Sequence, residues 1–167
     1  MEKKITNYDI RELFVSIKVK ALMTKPVPTV YETDDLSDVE EIFIDQHASH
    51  VCIIDSSHKL TGIISQKYLY KIRSPQKILP GRIMETNKDI IIDGDSFYDR
   101  KTLNGYILKD LMDKIPDYLH PDHTLKDAIT LMSRLGSSCV PIVDEKCKVK
   151  GLLKESHIVK MLAGLFD

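Results

Sequence analysis

Val51-Cys52-Ile53-Ile54-Asp55, followed by Gly62-Ile63-Ile64-Ser65, is the stretch on which the fold turns, because the chain contains it twice. At an offset of 89 residues it returns as Val140-Pro141-Ile142-Val143-Asp144 and Gly151-Leu152-Leu153-Lys154. The first run of each pair is short, continuous and apolar, the composition of a strand buried on both faces. The polar turns Asp55-Ser56-Ser57-His58 and Asp144-Glu145-Lys146 lead to a second apolar run, so each copy predicts a hairpin.

The same offset holds outward without a gap. Leu22 falls on Leu111, Met23 on Met112, Leu36 on Leu125, Asp38 on Asp127 and Ser49 on Ser138, while Phe43 meets Met132 and Leu69 meets Ile158. Upstream of the first hairpin, Thr29-Val30-Tyr31 predicts a short strand. Asp34 or Asp35 then caps a helix whose apolar face is Leu36, Val39, Ile42 and Phe43. In the second copy Asp122 or Thr124 caps, and Leu125, Ala128, Ile129, Leu131 and Met132 line the buried face. Each copy therefore reads strand, helix, strand, strand, helix, and the fold class is mixed α/β. A unit of about 54 residues buries too small a share of its surface to stand comfortably alone, so the two copies are expected to pack about a pseudo-two-fold axis with their sheets as shared core.

The chain divides on this reading into residues 1–18, 19–72, 73–107 and 108–167. In the first part Ile10, Leu13, Phe14 and Ile17 have helical spacing after Asn7, an amphipathic helix that closes one end. The third part has no counterpart in either copy and carries the turn signals Ser74-Pro75, Pro80-Gly81, Asp93-Gly94 and Asn104-Gly105, a connector in which Ile90-Ile91-Ile92 is the strand-like run, able to pair with a sheet edge.

With 167 residues and 43% hydrophobic content the chain suits one compact body, and no apolar run approaches the roughly 20 residues needed to span a bilayer, so no membrane partner is expected. Met1 to Ile5 lead into polar Thr6 and Asn7, without the apolar stretch of a secretory signal, and the expected location is the cytoplasm. Cys52, Cys139 and Cys147 are odd in number and widely spaced, which points to reduced thiols and away from disulfides or thiolate zinc. Charges of 24 basic and 25 acidic residues spread along the chain give no footprint for nucleic acid.

Val19-Lys20-Ala21-Leu22-Met23-Thr24 and Leu108-Lys109-Asp110-Leu111-Met112-Asp113, taken with the duplicated hairpins, resemble the CBS-domain family, in particular the tandem CBS pair called a Bateman module. The resemblance implies a regulatory module, not an enzyme, that requires no cofactor. It would bind an adenosine-containing ligand such as AMP, ADP, ATP or S-adenosylmethionine in clefts between the copies, and act on a regulated protein that the sequence does not name. Many members pair into discs, and a homodimer is expected here because the amphipathic helices of each copy look unpartnered within one chain. By position the purine is expected near Val27 to Thr29 and Val51 in one cleft, and near Asp117, Tyr118, Leu119 and Val140 in the other. Phosphates are expected to face Ser49, His50 and Ser65, or Ser138, Cys139 and Lys154. Where the family's pattern has a ribose-binding Asp, this chain has Tyr68 and His157.

Sharper readings of single residues are weaker. His47 and His50 stand three apart without a carboxylate or thiolate companion nearby, and Asp93, Asp95 and Asp99 lack the spacing and the final Glu of a calcium loop. Ser57-His58 and Ser156-His157 are neighbours in sequence, which does not supply nucleophile-to-base geometry. Gly62 and Gly151 are expected where backbone must approach a ligand or the opposite copy. The competing reading of the whole is a structural dimerisation module whose clefts are filled by side chains, Tyr68 and His157 foremost.

Overall fold

The computed structural model describes residues 7–67, 76–79, 90–93, 108, 112–114 and 116–166. Helix α1 (Asn7–Ser16) is followed by a short 3-10 turn at Val19–Ala21, β1 (Thr29–Tyr31), α2 (Leu36–Asp45), β2 (His50–Ile54) and β3 (Leu60–Ser65). Strands β4 (Gln76–Leu79) and β5 (Ile90–Asp93) lie in the connector. The second copy comprises β6 (Asp113–Lys114), α3 (Leu125–Leu135), β7 (Cys139–Val143), β8 (Val149–Lys154) and α4 (Glu155–Ala163).

Helices α2 and α3 begin at short polar residues that form capping boxes. At α2 it is Asp35 that caps, its N–H donating to Asp38 Oδ2 at 3.2 Å, while Asp34 turns back to accept from Tyr31 N at 2.7 Å. At α3 Thr124 caps: its N–H donates to Asp127 Oδ2 at 2.8 Å and Asp127 N–H returns to Thr124 Oγ1 at 3.2 Å. Asp122, the alternative cap, is instead paired with Lys20 Nζ at 2.6 Å. The hairpin turns are copies of each other. Asp55 Oδ1 accepts from Ser57 N and Lys59 N, and Asp144 Oδ1 from Lys146 N and Lys148 N, all at 2.8 to 2.9 Å.

In the first sheet β1 runs parallel to β2, β2 antiparallel to β3, and β3 antiparallel to β6, giving the order β1-β2-β3-β6. Its outer strand, β6, comes from the head of the second copy, with Asp113 opposite Ile63. The second sheet mirrors this: β7 pairs β8, Leu119 bridges in parallel to Ile142, and Thr24, from the head of the first copy, bridges to Leu152. Every one of these partners is its counterpart at the 89-residue offset. The bridge Lys59↔Lys148 joins two equivalent residues and so marks the pseudo-two-fold axis.

The leading segments thus change places. Leu108 and Met112 are buried in the helix-side core of the first copy with Leu36, Val39 and Phe43, whereas Val19 is buried in that of the second with Leu125, Ala128 and Met132. A third cluster, Cys52, Ile63, Cys139 and Leu152, lies between the sheets, as expected of a shared core. Gly62 and Gly151 permit the crossing. A methyl group at Gly151 would fall 2.7 Å from Cγ and 3.0 Å from Cβ of Met23, closer still to its sulfur. One at Gly62 would meet Met112 in the same way. The close approach is to the opposite copy.

Two expectations need correction, on the connector strand and on the helix faces. Ile90-Ile91-Ile92 pairs with β4 in a two-stranded ribbon and, among the described residues, does not extend the edge of either repeat's sheet. Helix α1 docks on the second copy, with Phe14 and Ile17 packed against that core. The apolar faces of α2 and α3 are not unpartnered, since Leu36, Val39, Phe43, Leu125, Ala128 and Met132 are buried within the chain. Leu69, Ile72 and Leu111 lie outside the described residues.

Overpacking against a crossing segment costs about 1–3 kcal/mol, or a fall in Tm of about 3–10 °C for a chain of this size. Gly151→Ala is expected to show that loss, and a smaller one in a Met23→Ala background. An equal loss in both backgrounds, measured by thermal unfolding, would show that the glycine makes room for something other than Met23.

Candidate functional site

Because the two leading segments cross, the space beside each sheet end is walled by both copies. Among the cavities lined by described residues, three are related by the same offset. A central groove of about 330 Å³ straddles the axis and is lined by Ser49, His50 and Ser65 of the first copy and Ser138, Lys154 and Glu155 of the second, with others. Beside it is a cleft of about 270 Å³, formed by the turn from Thr24 to Pro28, by Gln46, His47, Ala48 and His50, and by Leu152 and Lys154. Its counterpart, of about 300 Å³, is formed by Ile63, Pro116, Asp117, Leu135, Ser137, Cys139 and Pro141.

Of the residues assigned from sequence, Ser49, His50, Ser65, Ser138 and Lys154 are brought together in the central groove, and Val27 lines the first cleft. Ser49 Oγ lies 3.0 Å from His50 Nδ1. The others stand elsewhere. Val51 and Val140 are 0% exposed, and their side chains pack into the helix-side cores, so their side chains cannot cover a purine; only their backbone can face a ligand. Thr29 is exposed on β1, outside the linings of these cavities. Tyr118 turns to the hairpin tip, its Oη 3.9 Å from Cys147 Sγ. Cys139 is buried in the wall of the second cleft and is not among the phosphate-facing side chains of the groove. Tyr68 lies outside the described residues.

His157 is the third residue of α4, and Lys154 N–H donates to its Nδ1 at 3.3 Å. The ring proton of the neutral imidazole therefore sits on Nε2, which donates to Thr24 Oγ1 at 2.9 Å across the copy boundary. Desolvation holds His157 below the ordinary histidine value, and the nearby Lys154 and Lys160 add to this. Protonation at Nδ1 would remove the acceptor of the Lys154 N–H. Burial likewise pushes the Cys139 thiol up to about 12, and raises Cys52 further with a contribution from Cys139. Both thiols are protonated packing groups. Among the described residues no three His, Cys, Asp or Glu gather to hold a metal, and no helix is long and apolar enough to cross a membrane.

The sequence reading missed Thr24, Lys25, Gln46 and Ala48 as cleft residues and weighed His47 only as a metal ligand. One signal was present: Pro26 and Pro28 flank Val27, and two prolines two apart hold an extended segment that cannot fully pair in a sheet.

The CBS domain family pattern matches residues 19–74 and 108–164, and the chain belongs to that family as a tandem pair. The uncharacterized protein MJ1426 of Methanocaldococcus jannaschii is 27% identical over 152 residues, covering 86% of this chain and 90% of that protein. The chain spans only 23% to 43% of five further curated relatives, homoserine O-acetyltransferases among them. Among solved structures, the CBS domain pair of protein MJ0100 in complex with 5′-methylthioadenosine and S-adenosyl-L-methionine superposes with a TM-score of 0.65 at 22% identity, covering 88% of this chain and 96% of that one. CBSX2 in complex with AMP gives 0.64 at 18%, covering 91% and 100%.

A histidine kept neutral by folding makes stability fall with acid. Above about pH 6.5 neither state carries the proton; below it the unfolded chain takes the proton first, so the folded state loses ground. His157→Gln keeps an acceptor and a donor but cannot titrate. Its Tm is expected to fall less than that of the wild type between pH 7.5 and 5.5, and equal falls would remove His157 from the account.

Proposed function

We propose that the chain is a regulatory module that senses an adenosine-containing nucleotide bound in the clefts between its two copies, and that it carries out no chemistry itself. The observation that supports this reading most is the gathering of Ser49, His50 and Ser65 with Ser138 and Lys154 in one groove continuous with a cleft, since His50 and Lys154 line both. Hydroxyls and cations at the mouth of a half-apolar cleft suit a ligand with a phosphate or other polar tail and a flat, largely apolar head. The AMP, 5′-methylthioadenosine and S-adenosyl-L-methionine held by structural neighbours have such heads. A ligand that bridges the copies stabilises one packing of them and so has a conformational output for a partner protein to read. His157 does not fill the first cleft: it is bonded to Thr24 at the rim, and about 270 Å³ remains open.

The homodimer belongs to the same proposal, on a smaller surface than the sequence implied, with Ile44, Leu135 and Val159 as exposed apolar residues on α2, α3 and α4. Light scattering is expected to give twice the chain mass at tens of micromolar; the mass of one chain would contradict it.

A ligand at about 100 times its Kd contributes about 2.7 kcal/mol, which raises Tm by about 5–10 °C here. At least one of AMP, ADP, ATP and S-adenosylmethionine is expected to do so, and Lys154→Ala to reduce the rise for a phosphorylated ligand. No rise with any of them would favour the structural dimerisation module.

A further inference from the structure

Apart from the groove and its clefts, a cavity of about 590 Å³ lies between the crossing segment of the first copy and the hairpin of the second. Lys20, Lys25 and Lys150 line it together with Asp122, Asp144 and Glu145, so its wall carries both signs in equal number. Met23 and Pro121 supply its apolar part. Two ion pairs are built into the wall: Lys20 Nζ to Asp122 Oδ1 at 2.6 Å, which joins the two copies, and Lys150 Nζ to Asp144 Oδ2 at 3.1 Å, within the second. Asp144 is held further by its Oδ1, which accepts from the backbone of Lys146 and Lys148. The hydrogen bond from Lys20 holds Asp122 below the ordinary carboxylate range, and the Lys148 N–H does the same for Asp144, so both stay ionised.

Lys25 and Glu145 are the charges left over. Neither has an ion pair or hydrogen bond among the described residues, so each can meet a ligand without first giving up a bond. His120 adds an acceptor: its Nδ1 donates to Val143 O at 3.0 Å, which leaves Nε2 of the neutral ring with a lone pair. A polyanion is opposed here by Asp122, Asp144 and Glu145, and a polyamine by the three lysines. A molecule with one ammonium and one carboxylate is opposed by neither, since each end finds a free partner of opposite sign. A free α-amino acid carries that pair of charges on a single carbon and has one side chain to set against Met23 and Pro121. In sequence the arrangement occurs once: at the 89-residue offset Asp122, Glu145 and Lys150 become Thr33, Ser56 and Thr61, which removes both ion pairs and the free carboxylate.

We propose that this cavity binds a free α-amino acid, one per chain, its carboxylate held by Lys25 and its ammonium by Glu145 and His120. Met23 is both part of the wall and the residue lying over Gly151, so an occupied site stabilises the seat of the crossing segment on the second copy. Lys25 lines this cavity and the first cleft alike, whereas Glu145 lines neither cleft and so separates the two sites.

Thermal unfolding and amide NMR of the wild-type chain with each of the proteinogenic L-amino acids in turn, at millimolar concentration and without nucleotide, test this. At least one is expected to raise Tm saturably and to shift the amides of Thr24, Glu145 and Gly151. Its N-acetyl derivative, which lacks the cation, and its amide, which lacks the carboxylate, are expected to bind about ten-fold more weakly. The parent amino acid is expected to lose about as much in Glu145→Gln and in Lys25→Met, both changes at exposed positions that the fold tolerates. An N-acetyl derivative that binds as well as its parent would mark a site for anions, an amide that does so a site for cations, and either would overturn the assignment. So would unchanged affinity in Glu145→Gln, amide shifts confined to Ser49, Ser65 and Ser138 in the groove, or binding of no amino acid at all.

Discussion

Two methionines set over two glycines hold this molecule together. Met23 crosses Gly151 and Met112 crosses Gly62, each leaving its own copy to lie on the return strand of the other. A side chain at either glycine would force the methionine lying over it to move. The ladder contacts beside them hold the crossing: Thr24 N–H to Leu152 O at 2.8 Å, and the pairing of Asp113 with Ile63. Each helix-side core also holds a borrowed residue, Val19 in one and Leu108 in the other. A half of this size is short of buried surface, and the crossing supplies it reciprocally, so neither copy has a complete core without its neighbour.

The site follows from the same constraint. If the leading segments stayed with their own copies, the turn Thr24 to Pro28 would not lie beside Leu152 and Lys154, and no cleft would be walled by both copies. A ligand there touches residues far apart in sequence and on both sides of the axis. The bond from His157 to Thr24 sits on that boundary and ties helix α4 to the crossing segment.

Much of this was legible in the sequence. The strands, the capped helices and the duplication follow from residue periodicity and from polar residues such as Asp35, Thr124, Asp55 and Asp144, whose effects are local. The crossing was not, because Met23 and Met112 are equivalent: a segment packed on its own copy and one packed on the other have the same pattern. The site was half legible for that reason. Ser49, His50, Ser65, Ser138 and Lys154 sit at strand ends whose direction the hairpins fix, so their gathering in one groove could be read from the sequence. Val51 and Val140 were misplaced because a continuous apolar strand does not say which side chains face the helix and which face the neighbouring sheet. Thr24 and Lys25 enter the cleft only through the crossing.

The claim that the two copies form a single cooperative body through crossed segments is tested most directly by native-state hydrogen exchange, followed at individual amides. Thr24 and Leu152, which bond each other across the copies, are expected to open with the same free energy as Ile53 in the first sheet and Ile142 in the second, all at the value for global unfolding. Exchange of Thr24 and Leu152 through a lower-energy opening, with the sheets of the two copies still protected at separate values, would contradict it.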